Sequence, residues 1–136
     1  MSNRGLPAII GGTGLSHLPG FTQVAHLPLS HPALSTPWGS PSSPITILSH
    51  PRASSNKTST TPLNVAFLSR HGVHHELAPH EVPSRANMAA LRKLGVRCVV
   101  AFSAVGSLRE EIKPRDFVVP GQVIDRTKGV GRLRFL

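Results

Sequence analysis

Leu63-Asn64-Val65-Ala66-Phe67-Leu68 runs directly into Ser69-Arg70-His71-Gly72, and the fold is decided by how this stretch is read. Its apolar half has the composition of a strand, and the polar residues and glycine that follow end it. Downstream, Pro83 to Leu94 predicts a helix. Pro83 suits the first helical turn, Ala86, Met88, Ala89, Ala90 and Leu91 are good helix formers, and Gly95 stands where a helix stops. Cys98-Val99-Val100-Ala101-Phe102 then runs without alternation, which predicts a strand buried on both faces. Strand, helix and strand in this order point to an α/β fold.

Upstream, Leu6-Pro7-Ala8-Ile9-Ile10 is a second apolar strand, ending at Gly11-Gly12-Thr13-Gly14. Residues 21–29 alternate loosely, as an edge strand does, and Ile45-Thr46-Ile47-Leu48 is another strand candidate. Between them, Pro28, Pro32, Pro37, Pro41 and Pro44 impose loop or extended chain, in which Trp38 reads as a packing anchor. Residues 49–62 are polar and of low complexity, and read as a flexible surface insertion. Its Asn56-Lys57-Thr58 sequon is a chance match without a secretory leader. Phe117-Val118-Val119-Pro120 and Gln122-Val123-Ile124 are two further short strand candidates.

The chain has 136 residues and a mass of 14.5 kDa, of which 39% are hydrophobic, enough for one domain with a core. No run of apolar residues is long enough to span a bilayer, so no membrane association is expected. The start, Met1-Ser2-Asn3-Arg4-Gly5, does not resemble a secretory leader. A lone cysteine, Cys98, excludes an internal disulfide and a cysteine-based metal site, favours a reducing compartment, and reads as a core filler.

The formal charge is +9 and the pI about 11.6. All six acids (Glu76, Glu81, Glu110, Glu111, Asp116 and Asp125) lie in the second part of the chain. The basic residues are scattered and aromatics are only 4%, so a nucleic-acid-binding module is disfavoured despite the charge.

The chemistry gathers at strand ends. Ile9-Ile10 runs into Gly11-Gly12-Thr13-Gly14, Phe67-Leu68 into Ser69-Arg70-His71-Gly72, and Ala101-Phe102 into Ser103-Ala104-Val105-Gly106. If the strands are parallel, the three loops share one edge of the sheet, where α/β proteins bind ligands. Glycines admit close backbone approach, Thr13 and Ser103 bring hydroxyls, Arg70 brings a planar fork, and His71 a further polar contact. Alone, each reads more readily as turn, surface or strand end. Together they make a phosphate site. Gly11-Gly12-Thr13-Gly14 is not a P-loop, since no Gly-Lys-Ser/Thr follows.

His71, His74, His75 and His80 form a histidine-rich tract without zinc-site spacing, so no metal is assigned and the last three read as loop residues. His17, His26, His31 and His50 read as surface residues. Glu110-Glu111 reads as a solvated turn and Asp125-Arg126 as a local ion pair. No carboxylate pair or nucleophile–base pair stands out, and no catalytic residue is named.

Several motifs, in order, resemble the S-methyl-5′-thioadenosine phosphorylase family. They are Ile9 to Leu15, Thr36-Pro37-Trp38-Gly39, Arg70 to His75, Pro79 to Asn87, Ala104 to Ile112 and Ile124-Asp125-Arg126-Thr127. The resemblance covers about residues 6–130. It implies a phosphorylase-type α/β sheet with flanking helices, usually in a homotrimer, with the cytoplasm as expected location and the nucleus as a second one. It implies phosphorolysis of methylthioadenosine to adenine and 5-methylthioribose 1-phosphate, with inorganic phosphate as co-substrate and no cofactor. It places the phosphate-binding positions on Thr13, Arg70, His71, Ser103 and Ala104, with a serine at 103 where the family often has threonine. Family members are about twice this length, and residues 131–136 depart from the family pattern. The expectation is therefore an incomplete domain over 1–130 with an unrelated tail and little turnover alone. Its alternatives are a fragment that associates with full-length subunits, or a phosphorylase for another purine nucleoside.

Overall fold

Strand β1 (Leu6–Gly11) is the middle of three parallel strands, between β4 (Leu63–Ser69) and β5 (Val96–Ala101). Strands β2 (Thr22–Leu27) and β3 (Ile45–His50) extend the sheet in antiparallel sense, giving the order β2-β3-β4-β1-β5. The computed structural model describes residues 5–12, 15, 18–51 and 62–124. It divides into two units, Met1–Ser103, which holds the sheet, and Ala104–Leu136.

Period-two alternation gives the sheet its buried face. Ala8 and Ile10 of β1, Ala66 and Leu68 of β4, and Ile45 of β3 meet helix α1 (Ser84–Lys93) through Ala90 and Leu91, with Leu34 and Val96 completing the core. Ala86, Ala90 and Leu91 recur on one side of α1, the spacing of a single buried stripe. Pro83 occupies the N-cap, one position before the first turn, and Gly95 follows the helix at φ +81°, where a side chain would be strained. Lys93 Nζ donates to the carbonyls of Pro32 and Ser35, at 3.2 and 2.7 Å. The end of α1 is thereby tied to the 3₁₀ turn Pro32–Leu34. The proline-rich stretch is thus loop with one short turn, as its composition requires.

Five expectations change. β5 is an edge strand with one hydrogen-bonded neighbour, and only its first residue, Val96, is buried. Cys98 is therefore exposed instead of filling the core. Trp38 is 55% exposed: the Thr36–Gly39 turn is held by Thr36 Oγ1 on Trp38 N and Gly39 O, with no call on the indole. Residues 117–124 form no β-ladder, and Phe117, Val119 and Ile124 are exposed. Ser49 and His50, read as the start of the polar insertion, belong to β3, where they pair with Asn64 and Leu63. Residues 52–61 of that insertion, with the sequon, lie outside the described residues, as do His17, Asp125, Arg126 and the 131–136 tail. Among the described residues no helix is long and apolar enough to cross a membrane.

Candidate phosphate site

The carboxyl ends of β1, β4 and β5 are level. Gly11 pairs with Ser69 and Ile10 with Ala101. The ladder continues one residue past the strands: Arg70 N donates to Gly11 O and Phe102 N to Ile10 O, both at 3.1 Å. Parallel register thus delivers Gly12, Arg70 and Ser103 to one edge.

Arg70 ties these loops together. Its Nη1 donates to Phe102 O at 2.8 Å and to Ser103 Oγ at 2.9 Å, and its Nε donates to His71 Nε2 at 3.1 Å. The Arg70 Nη2 nitrogen lies over Gly12, and no described residue accepts from it. Ser103 Oγ accepts from Arg70 and keeps its own hydrogen to donate. The half-buried guanidinium and the exposed Ser103 hydroxyl therefore present several N–H and O–H donors at one corner, a set suited to an oxyanion.

Both ring nitrogens of His71 have partners in the protein. The Leu77 carbonyl can only accept, so His71 Nδ1 carries the hydrogen shared with it at 2.9 Å. Arg70 Nε can only donate, so His71 Nε2 is the acceptor. Both ring nitrogens are engaged, and the ring acts on the corner by holding Arg70. The loop beyond is stiffened by Glu76, whose Oε2 accepts from His74 N at 2.8 Å. Backbone donors, its own and that of His74, hold the Glu76 carboxyl below the usual carboxylate range. A depressed carboxyl contributes above the usual range, and this contribution is lost as pH falls through its lowered value.

Gly12 is buried because the corner leaves no room for a side chain. A Cβ there would lie 2.6 Å from Arg70 Nη2 and 2.9 Å from Phe102 O. Gly12→Ala is expected to displace the Phe102 carbonyl locally, keep the rest of the sheet and push the guanidinium off Ser103. Circular dichroism should be unchanged while anion binding falls by about tenfold or more, the loss of roughly one charge-assisted hydrogen bond.

Of the residues named from sequence, the structure brings Arg70, His71 and Ser103 together. Thr13 lies outside the described residues. Ala104 follows Ser103 in the chain and opens the second unit, where it is exposed. His74, His75 and His80 stay in the loop, with the His75 ring 6.1 Å from that of His71. No group of three potential metal ligands exists among the described residues. In the second unit, Arg109 and Glu111 form an exposed ion pair that lowers the Glu111 carboxyl.

Comparison with known proteins agrees with the motif resemblance. The sequence profile of the phosphorylase superfamily matches residues 8–135. An S-methyl-5′-thioadenosine phosphorylase of Aspergillus fumigatus is 70% identical over 123 residues, covering 90% of this chain and 33% of that protein. One from Emericella nidulans is 66% identical over 128 residues, covering 94% of this chain and 33% of that protein. Among solved structures, methylthioadenosine phosphorylase from Schistosoma mansoni in complex with tubercidin superposes with a TM-score of 0.74 at 33% identity, over 94% of this chain and 40% of that one. The chain spans about a third of the length of the curated relatives it matches.

Proposed function

The chain belongs to the phosphorylase superfamily, and on that premise we propose that the corner at Gly12, Arg70 and Ser103 binds inorganic phosphate for phosphorolysis of S-methyl-5′-thioadenosine. The observation that carries this reading is the 2.9 Å hydrogen bond from Arg70 Nη1 to Ser103 Oγ, which joins the ends of β4 and β5 beside a glycine of β1's loop. In that reaction a phosphate oxygen forms a bond to the anomeric carbon while the glycosidic C–N bond breaks. Its electron pair leaves with adenine, which takes up a proton, and 5-methylthioribose 1-phosphate is the other product. The donors at the corner fix the phosphate for attack and balance its charge. Thr13 and Ala104 join the phosphate site in this reading, on the motif resemblance alone. The nucleoside is taken from the relatives' names.

The described residues supply phosphate donors, so the chain alone is expected to bind phosphate and to release adenine slowly or not at all. Adenine release from methylthioadenosine, followed with and without phosphate and beside a full-length relative, is the test. Release that needs phosphate and Arg70 would support the assignment with a working site in this chain. Phosphate binding lost with Arg70, without turnover, would support the assignment as well. A folded chain indifferent to phosphate would overturn it.

A second reading has its own observation. Val105, Leu108, Phe117, Val119 and Ile124 of the second unit are more than four-fifths exposed. Apolar exposure of this kind suits association with another chain, and a full-length phosphorylase subunit is the partner proposed. Co-purification of the two chains, set against this chain alone, checks it.

A further inference from the structure

Strand β3 stops pairing with β4 at Ile45–Leu68, one residue before β4 ends. On that side the Ser69 backbone N–H and C=O have no strand to bond, and a buried backbone group left unpaired is costly. Two serines from the loop before β3 take over. Ser43 Oγ accepts from Ser69 N at 3.0 Å, and Ser42 Oγ donates to Ser69 O at 2.7 Å. The pair is itself fixed from α1: Asn87 Oδ1 accepts from Ser42 N at 2.8 Å. Asn87, Ser42 and Ser43 are 3%, 8% and 3% exposed, the buried polar residues of the described chain. Beyond them, Ser69 Oγ donates to Gly72 O at 2.7 Å, closing the turn that holds Arg70 and His71.

We propose that Asn87, Ser42 and Ser43 are positioning residues for the anion site: they replace the missing strand at Ser69 and set the direction in which β4 delivers Arg70. The side chains act through Ser69 and touch no ligand. A shift of the β4 exit is passed to Arg70 through a single peptide unit. The guanidinium must reach Phe102 O and Ser103 Oγ at once, so small changes in its root are felt at its tip. The alternative is that the network only stabilises the fold, as any satisfied buried polar group does.

This inference rests on the phosphate reading for its functional consequence, and the experiment separates the two. The whole chain, labelled with ¹⁵N, is observed at the Arg70 Nε–H resonance and titrated with inorganic phosphate at constant ionic strength. Asn87→Ala and Ser42→Ala are compared with Asn87→Asp, which keeps the acceptor oxygen. Leu91→Ala serves as a destabilising change on the same buried stripe of the helix, one turn on from Asn87 and with no hydrogen bond in the network. The expected result is that Asn87→Ala and Ser42→Ala move the Arg70 Nε–H resonance and weaken phosphate binding by about tenfold, equivalent to about 1.4 kcal/mol. Asn87→Asp restores both, and Leu91→Ala lowers the melting temperature without moving either. An Arg70 resonance unmoved by both alanine variants overturns the inference, as does one moved equally by Leu91→Ala. Wild-type chain that ignores phosphate, with the resonance still displaced in the two variants, sinks the phosphate reading and leaves the positioning role supported.

Discussion

Arg70→Ala is expected to weaken phosphate binding by roughly two to four orders of magnitude, the loss of two charge-assisted hydrogen bonds at about 1.5–3 kcal/mol each. The guanidinium is the only cation in the corner among the described residues, and its Nη2 faces the space beside Gly12. Its removal also deletes the bonds to Phe102 O and Ser103 Oγ, so the hydroxyl loses its orientation along with its neighbour. Arg70→Lys separates charge from geometry. An ammonium supplies a point charge but cannot reach His71, Phe102 and Ser103 together in one plane, so an intermediate affinity is expected. Calorimetric titration with phosphate measures both variants. Equal affinities for wild type and Arg70→Ala would contradict the site.

Leu68→Ala is expected to cost about 3–5 kcal/mol of stability, the range for a fully buried leucine whose cavity cannot collapse. Leu68 has no exposed surface and is paired in register with Ile45 on one side and Ile10 on the other. Both neighbours belong to strands fixed by their own ladders, so they cannot close the gap. Urea unfolding followed by circular dichroism should show a lowered midpoint, against a few tenths of a kcal/mol for a substitution on exposed β2 such as Val24→Thr. A change under about 1 kcal/mol at Leu68 would mean that the sheet's core is elsewhere or yields easily.

The two variants act on different links of one chain of causes. The apolar residues of β1 and β4 place the two strands side by side in the sheet, and their parallel register brings the polar ends together. That much is legible in the residues, because Ile9-Ile10, Phe67-Leu68 and Ala101-Phe102 each end in small or polar side chains. Parallel pairing then makes three weak signals one corner. The strands at residues 21–29 and 45–48 were legible too, but their antiparallel sense comes from the pairing.

What escaped the sequence is what depends on neighbours. The apolar run at 98–102 records a strand suited to burial, but burial needs a cover, and β5 lies at the sheet's edge. Residues 117–124 carry strand propensity without a paired ladder, and propensity alone forms no strand. His71 has the composition of a ligand, yet its tautomer and its role are set by Leu77 O and Arg70 Nε, which only the folded loop supplies. Ser42 and Ser43 were hidden among prolines. A faint signal did exist for Asn87, a polar residue within the buried stripe of Ala86, Ala90 and Leu91.

The most direct test of the central claim is a phosphate titration of the ¹⁵N-labelled chain at fixed ionic strength, reading Gly12, Arg70 and Ser103 together. The expected result is that all three resonances move on one saturable curve and that chloride does not reproduce it. If these resonances stay in place, or if the shifts spread without saturation over the exposed Lys and Arg residues, the strand-end corner is not a phosphate site.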